Sequence, residues 1–198
     1  MPRRCRHTEF QFVGERGLHV EALSTLLRNR QAPAGQCARR DDLVQFAAIT
    51  ERHVRSITEL SASPSLALKL GVEAGTRLLR VEMLRVDPSK PDAPLCWTDV
   101  YLEVALGTGI KRELRNSTGL ICEMVEKRFG RSVQNVRQEI RAIGVPANIA
   151  EPLGVAPDSH ALEIVRRYFD ARGLVFEATV SVFPADRYSY ALELTRQG

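Results

Sequence analysis

The sequence predicts an α+β fold: a largely antiparallel sheet with helices packed on one side. Three observations carry that expectation. Extended runs outnumber helical ones and come in pairs joined by short, turn-rich loops. The helical stretches are few and short. The chain also writes one pattern twice, with LALKLGVEAGTRLLRVEMLRVD at 66–87 returning as IAEPLGVAPDSHALEIVRRYFD at 149–170. Leu70 matches Leu153, Gly71 matches Gly154, Val72 matches Val155 and Asp87 matches Asp170. A second apolar run follows each copy, at 95–102 and 174–183. A unit present only twice is a duplicated supersecondary element, since a solenoid stacks three or more.

Residues 1–40 contain one helical candidate, 19–30, whose Val20, Leu23, Leu26 and Leu27 fall at helical spacing. A Pro/Gly break follows it, and DDLVQFAAIT at 41–50 opens on an aspartate cap for about two turns. From Glu51, ERHVRSITELSA alternates and is rich in β-branched residues, so it is a strand. SPSLALKLG supplies Ser63 as N-cap, Pro64 at the first helical position and Gly71 as terminator of a short helix. Strands at 77–87 and 94–102 flank DPSKPDAP and form a hairpin. The longest helix lies within GIKRELRNSTGLICEMVEKRFG, with Ser117 and Thr118 as caps and Ile121, Met124, Val125 and Phe129 as its apolar stripe. Strand 132–142, a second short helix in PANIAEPLG, and strands 160–170 and 174–183 follow. After Pro184, RYSYALELTR is a last strand.

Charge separates the chain into two parts. Residues 1–40 carry eight Arg, no Lys and three Glu, whereas the whole chain of 198 residues sums to only +4. We therefore expect a basic, solvated leader at 1–40, disordered or a remnant, and a near-neutral domain at 41–198. Such a leader attracts nucleic acid electrostatically, but no binding motif frames its arginines. No apolar run reaches the roughly 18 residues of a membrane span, and the first residues lack the apolar core of a secretory signal. Cys5, Cys37, Cys96 and Cys122 are scattered, without metal-binding spacing. Reduced thiols in a cytoplasmic protein are the expectation. His7, His19, His53 and His160 lie apart, there is no phosphate-binding glycine loop or nucleophile elbow, and nothing demands a metal or organic cofactor.

Strand alternation says which side chains share a face. Leu79, Val81, Met83 and Arg85 share one, matched in the second copy by Leu162, Ile164, Arg166 and Tyr168. A guanidinium ending an apolar face needs an acid, an anion or water. Glu177, Thr179 and Ser181 share a polar face opposite Phe176, Ala178, Val180 and Val182. Arg137, Glu139 and Arg141 do likewise opposite Val136, Ile140 and Ala142. Uncovered, such faces are solvated sheet; only a cover turns one into a pocket. Trp97, the one tryptophan, sits beside Thr98 and Asp99 in a strand and is expected in the core.

Several stretches together resemble one family: LVQFAAIT, LALKLGVEAGTRLLRVEMLR, LCWTDVYL, VRQEIRA, LGVAPDSHALEIVRRYFD and FEATVSVFPADRYSYALELTR. They are similar to the effector-sensing (UTRA) domain of GntR-type bacterial transcription regulators of the HutC-like subfamily, over about 41–196. The ending, a glutamate followed at a fixed distance by Ala-Asp-Arg-Tyr, is its most specific part. The resemblance implies a chorismate lyase-like fold, a buried pocket for a small-molecule effector, homodimers, and control of an attached winged-helix DNA reader. It implies Arg85 as anion binder, Glu139, Glu177 and Tyr188 as ligand contacts, and Thr98 and Ser181 as wall contacts. Phosphosugar-sensing relatives tend to carry two arginines spaced R-x-R on the first-repeat strand. Met83 replaces the first here, which argues against a phosphosugar and for a monoanionic or carboxylate-bearing effector.

A winged helix needs about sixty residues before the sensor, and no helix-turn-helix is found in 1–40. The chain alone is therefore expected not to bind DNA specifically, its reader domain removed, misread or never attached. The expected function is ligand sensing and dimerisation within a transcription regulator, not catalysis. Two rivals stand: an orphan dimerisation module titrating a full-length regulator, and a chorismate lyase-like enzyme, which would release pyruvate from chorismate.

Overall fold

The computed structural model describes residues 50–116 and 119–190. Within them the elements run β1 (Glu51–Ser61), α1 (Pro64–Leu70), β2 (Arg77–Val86), β3 (Cys96–Glu103), α2 (Val104–Gly109), α3 (Lys111–Asn116), α4 (Ile121–Phe129), β4 (Asn135–Gly144), α5 (Ala147–Leu153), β5 (His160–Phe169) and β6 (Val175–Pro184). The six strands form one antiparallel sheet in the order β1-β2-β3-β6-β5-β4. That order reads the same from either edge: β1-α1-β2-β3 is answered by β4-α5-β5-β6, and β3 joins β6 at the seam. Thr98 and Ser181, 83 residues apart, face each other across this seam.

The two short helices are built alike. Ser63 caps α1, its hydroxyl accepting from the Leu66 N–H at 3.3 Å, and Gly71 ends the helix at φ 72°. Gly154 ends α5 at φ 64°, the left-handed conformation that glycine enters without steric cost. An arginine holds each helix C-terminus. Arg167 donates to the Lys69 carbonyl at 2.6 and 3.0 Å, and Arg187 donates to the Leu153 carbonyl at 2.6 Å.

Helices cover both faces of the sheet, not one as the sequence suggested. Helices α2, α3 and α4 lay Leu106, Ile110, Leu114, Ile121, Cys122 and Val125 on Leu79, Val81, Met83, Val100 and Leu102. Helix α1 packs Ala67 and Leu70 on Leu78, Tyr101, Val165 and Ala178 of the opposite face, where α5 packs Ile149, Ala150 and Leu153 against Leu84, Trp97 and Val182. The physical reason is visible in β6, whose residues from Phe176 to Pro184 are all buried. A strand with both faces covered lacks the clean alternation of a one-sided sheet.

The longest helix among the described residues, α4, lies within 109–130 as expected, and two shorter helices that the sequence reading did not separate, α2 from Val104 and α3 from Lys111, precede it. Gly107 and Gly109 lie in α2, where they let it approach its neighbours. A Cβ on Gly107 would lie 2.4 Å from the Leu79 side chain, and one on Gly109 would lie 2.3 Å from the Phe129 ring. Leu120, not a hydroxyl residue, precedes α4. Ser117, Thr118, the helical candidates at 19–30 and 41–49, and residues 191–196 of the expected last strand lie outside the described residues. Residues 187–190 of that strand form a turn and an irregular segment instead.

Candidate functional site

The sheet face beneath α2–α4 changes character across its width. One end is the apolar cluster just described. Over β3 and β6 it turns polar without becoming exposed: Arg85 is 7% accessible, Thr98 8%, Glu177 3%, Thr179 7% and Ser181 3%. Register explains the grouping. Met83 pairs with Thr98, Thr98 with Ser181 and Ser181 with Ile164, so one row crosses the seam on a single face. Arg85, opposite Cys96, and Thr179, opposite Arg166, belong to the neighbouring rows. At the centre the Thr98 and Ser181 hydroxyls are 2.9 Å apart, and the Cys96 thiol is 3.5 Å from Thr98 Oγ1.

Burial sets the protonation states. Glu177 is pushed up to about 8 because burial penalises its charged form, with only the Arg52 guanidinium pulling the other way. It is therefore largely neutral at neutral pH, able both to donate and to accept a hydrogen bond. Burial lowers Arg85 and takes Arg52 down to about 10, the Arg85 charge adding to the second effect. Arg52 donates to the Leu114 carbonyl at 3.4 Å and to the Gly119 carbonyl. Both acceptors are neutral. Burial also raises the Cys96 thiol to about 11 and the Tyr168 hydroxyl above its ordinary range. Glu177 Oε2 and Thr179 Oγ1 are buried without a hydrogen-bond partner among the described residues. Native interiors leave few such groups, and each calls for an explanation.

The structure thus brings together Arg85, Thr98, Glu177 and Ser181 on one buried face. Tyr188 joins its rim: it is 7% accessible, with its ring centroid 4.3 Å from that of Phe183. Arg187 fixes the turn that carries it, donating to the Pro94 carbonyl at 2.7 Å as well as to α5. Glu139 is not brought to this face. In β4, Gln138 and Ile140 point toward it and Glu139 points away. Glu139 pairs with Arg167, lies 3.3 Å from Arg141, and is held below its ordinary range chiefly by the Arg167 hydrogen bond. The sequence reading did not select Arg52, Gln138 or Arg166. Alternation did place Arg166 on the face matched to Arg85; no signal marked Arg52, which is one of several charged residues of an edge strand.

The opposite face carries an open groove of about 400 Å³ between α1 and α5, floored by Trp97, Val180 and Val182. Trp97 is 7% accessible, a core residue as expected. The charges there satisfy one another: Arg80 pairs with Asp99 at 2.7 Å, Lys69 with Glu163 at 2.7 Å, and Trp97 donates to Asp99 at 2.9 Å. Among the described residues no group of three or more His, Cys, Asp or Glu is placed to hold a metal ion. No helix among them is long and apolar enough to cross a membrane.

Comparison with known proteins agrees with this architecture. The chain is 29% identical over 107 residues to the HTH-type transcriptional regulator Rv0792c of Mycobacterium tuberculosis, a match covering 53% of the chain and 40% of that relative. The chain thus spans about two fifths of that relative's length. Its fold is similar to that of a GntR-family transcriptional regulator from Enterococcus faecalis V583, with TM-score 0.61, 24% identity, and coverage of 72% of this chain and 99% of that one. It is similar also to the effector domain of PhnF from Mycobacterium smegmatis, with TM-score 0.60, 20% identity, and coverage of 72% and 85%. Residues 49–189 match the UTRA domain. The chain belongs to the UTRA domain family, the effector-binding domain of GntR-family transcription regulators.

Proposed function

We propose that this chain is the ligand-sensing and dimerisation part of a HutC-like transcription regulator, and that its effector is a small carboxylate-bearing anion bound on the face beneath α2–α4. The observation that carries this reading is the buried polar patch. Guanidiniums from β1, β2 and β5 share a face whose one buried carboxyl among the described residues, Glu177, is largely neutral. Buried charge and unpartnered buried acceptors both cost stability. A bound anion answers both. Arg85 pairs with its carboxylate, a charge-assisted bond strengthened by the dry surroundings. Neutral Glu177 and the Thr179 hydroxyl bond to polar groups elsewhere on the ligand, and Thr98, Ser181 and Tyr188 orient it. Glu139, on the other face, has no part in this contact.

The ligand switches a dimer only by binding one geometry better than the other. In an intact regulator that difference would reposition two DNA readers; this chain alone would not bind DNA specifically. The test is a thermal-shift screen of the full chain against carboxylates, amino-acid catabolites and sugar phosphates. A ligand at about 100 times its Kd stabilises by roughly 2.7 kcal/mol, which raises Tm by about 5–10 °C for a chain of this size. The expected hit is a carboxylate, lost in Arg85→Gln with the variant folded. A folded wild type silent to all anions refutes the reading. Pyruvate release from chorismate would replace it with the enzyme.

A further inference from the structure

The duplication makes a comparison within the molecule. Moving 83 residues along the chain takes Met83 to Arg166 and Arg85 to Tyr168. The matched strands β2 and β5 therefore each contribute one arginine to the face beneath α2–α4, at alternate positions, with Arg52 of β1 beside Arg85. Arg85 lies on β2 and Arg166 on β5, with β3 and β6 between them. The row Met83–Thr98–Ser181–Ile164 crosses the seam. Arg85 lies two residues to one side of that row and Arg166 two residues to the other. Their strands are about 14 Å apart across the sheet, and their rows about 13 Å apart along it. The two guanidiniums thus approach the central hydroxyl pair from opposite corners.

Arg166 is not spent on a structural acid. Its Nε donates to Gln138 Oε1 at 2.7 Å, a neutral partner, and it has no ion pair among the described residues. Three other half-buried or buried arginines do have one: Arg80 with Asp99, Arg131 with Glu103 and Asp170, and Arg167 with Glu139. Tyr188, at the end of the anchored turn, packs on Phe183 and clusters with Cys96, the register partner of Arg85, while the Arg166 charge favours its ionised form against the effect of burial. Register places both arginines on the same sheet face as Cys96, Thr98 and Tyr168.

We propose that the effector carries two anionic groups, one held by Arg85 and the other by Arg166 with Gln138, its spacer crossing the Thr98–Ser181 hydroxyl pair. This rests on the anion-sensing reading above and narrows it to a dianion with separated ends. A monocarboxylate would leave Arg166 unmatched, and a single phosphate would fill one corner only.

The test uses isothermal titration calorimetry on the full chain. The probes are the straight-chain α,ω-dicarboxylates from malonate to suberate and their monomethyl esters. One chain length is expected to bind about 10- to 100-fold tighter than its monoester, the worth of one charge-assisted contact. Arg166→Met should bring that diacid down to the monoester's affinity and leave the monoester unchanged. The fold tolerates methionine at the matched position of β2, and Arg166→Lys, which keeps the charge, should restore part of the difference. Equal binding of diacids and monoesters to wild type, or a diacid indifferent to Arg166→Met but lost in Arg85→Gln, overturns the dianion and leaves the anion sensor standing. No binding of any acid to folded protein overturns both.

Discussion

The buried carboxyl of Glu177 should make stability fall as pH rises, and Glu177→Gln should remove that fall. Its acidity is shifted from the ordinary 4.5 to about 8 by burial. In the unfolded chain the group ionises near its ordinary value, so between about 4.5 and 8 the folded state holds a proton that the unfolded state has lost. Stability then decreases with pH, and the contribution present below 4.5 is gone above 8. At about 1.4 kcal/mol per pH unit the whole interval is worth up to about 5 kcal/mol. For a chain of this size that corresponds to roughly 10–20 °C in Tm. The assay is thermal unfolding of wild type and Glu177→Gln from pH 5 to pH 9. Other groups titrate in both proteins, so the quantity that matters is the difference between them. Gln keeps the shape and the hydrogen-bonding capacity but cannot ionise. The variant should gain on wild type steadily up to pH 8. A Tm difference that stays flat across this range would refute the reasoning, because it would mean that Glu177 has the same acidity folded and unfolded. A saturating carboxylate bound through neutral Glu177 should also lift its titration to higher pH, so that in the complex the fall of stability continues beyond pH 8.

Three further outcomes follow from local geometry. Arg131 bonds Asp170 at 2.9 Å and Glu103 at 2.8 Å, and its guanidinium lies 5.5 Å from the Phe176 ring centre. Arg131→Ala should cost about 2–3 kcal/mol in urea unfolding, moderated because Arg172 and two backbone N–H groups still serve Asp170. Gly107→Ala drives a methyl into Leu79 and should cost about 1–3 kcal/mol by the same measurement, whereas Leu68→Ser, at a side chain 83% exposed, should change stability by less than about 0.5 kcal/mol. Thr98→Val strands the Ser181 hydroxyl and should cost about 1–3 kcal/mol, more than Thr98→Val adds to a Ser181→Ala background.

Much of the sheet was legible in the sequence because its signals are local. Two strand pairs joined by turns, a capped helix with Pro64 and Gly71, and a repeated motif all survive without knowledge of packing. Alternation likewise put Glu177, Thr179 and Ser181 on one face and Arg85 on the face of Met83. What alternation does not report is which side is covered. Whether the polar face of β6 meets water or helices depends on α2–α4, and α2 was invisible because its two glycines, needed for close packing, imitate a break. Glu139 shows the opposite limit. Its candidacy came from resemblance alone, while its own alternation with Gln138 and Ile140 already set it on the far side. Alternation puts Arg166 on the face of Ile164 and Tyr168, but nothing local to β5 marks it off from the neighbouring Arg167, which faces the other side.

The location of the site follows from the duplication. Each copy alone presents a helix and a hairpin, and its side chains meet those of the other copy only where β3 joins β6. At that seam the frame is symmetric, with Thr98 and Ser181 related by the repeat and bonded to each other. Symmetric hydroxyls cannot by themselves orient an asymmetric ligand. The direction comes from substitutions that broke the symmetry: arginine against tyrosine at 85 and 168, methionine against arginine at 83 and 166, and Glu177 on β6 alone. These changes sit on the face beneath α2–α4, whereas the two short helices and their glycine termini keep the repeat's form on the other. One face thus preserves the frame while the other diverges, the division expected of a duplicated scaffold whose seam was given over to recognition. Under the proposed dianion reading, both halves would have to be intact to hold the ligand, and a ligand spanning the seam would add stability to the sheet's central joint.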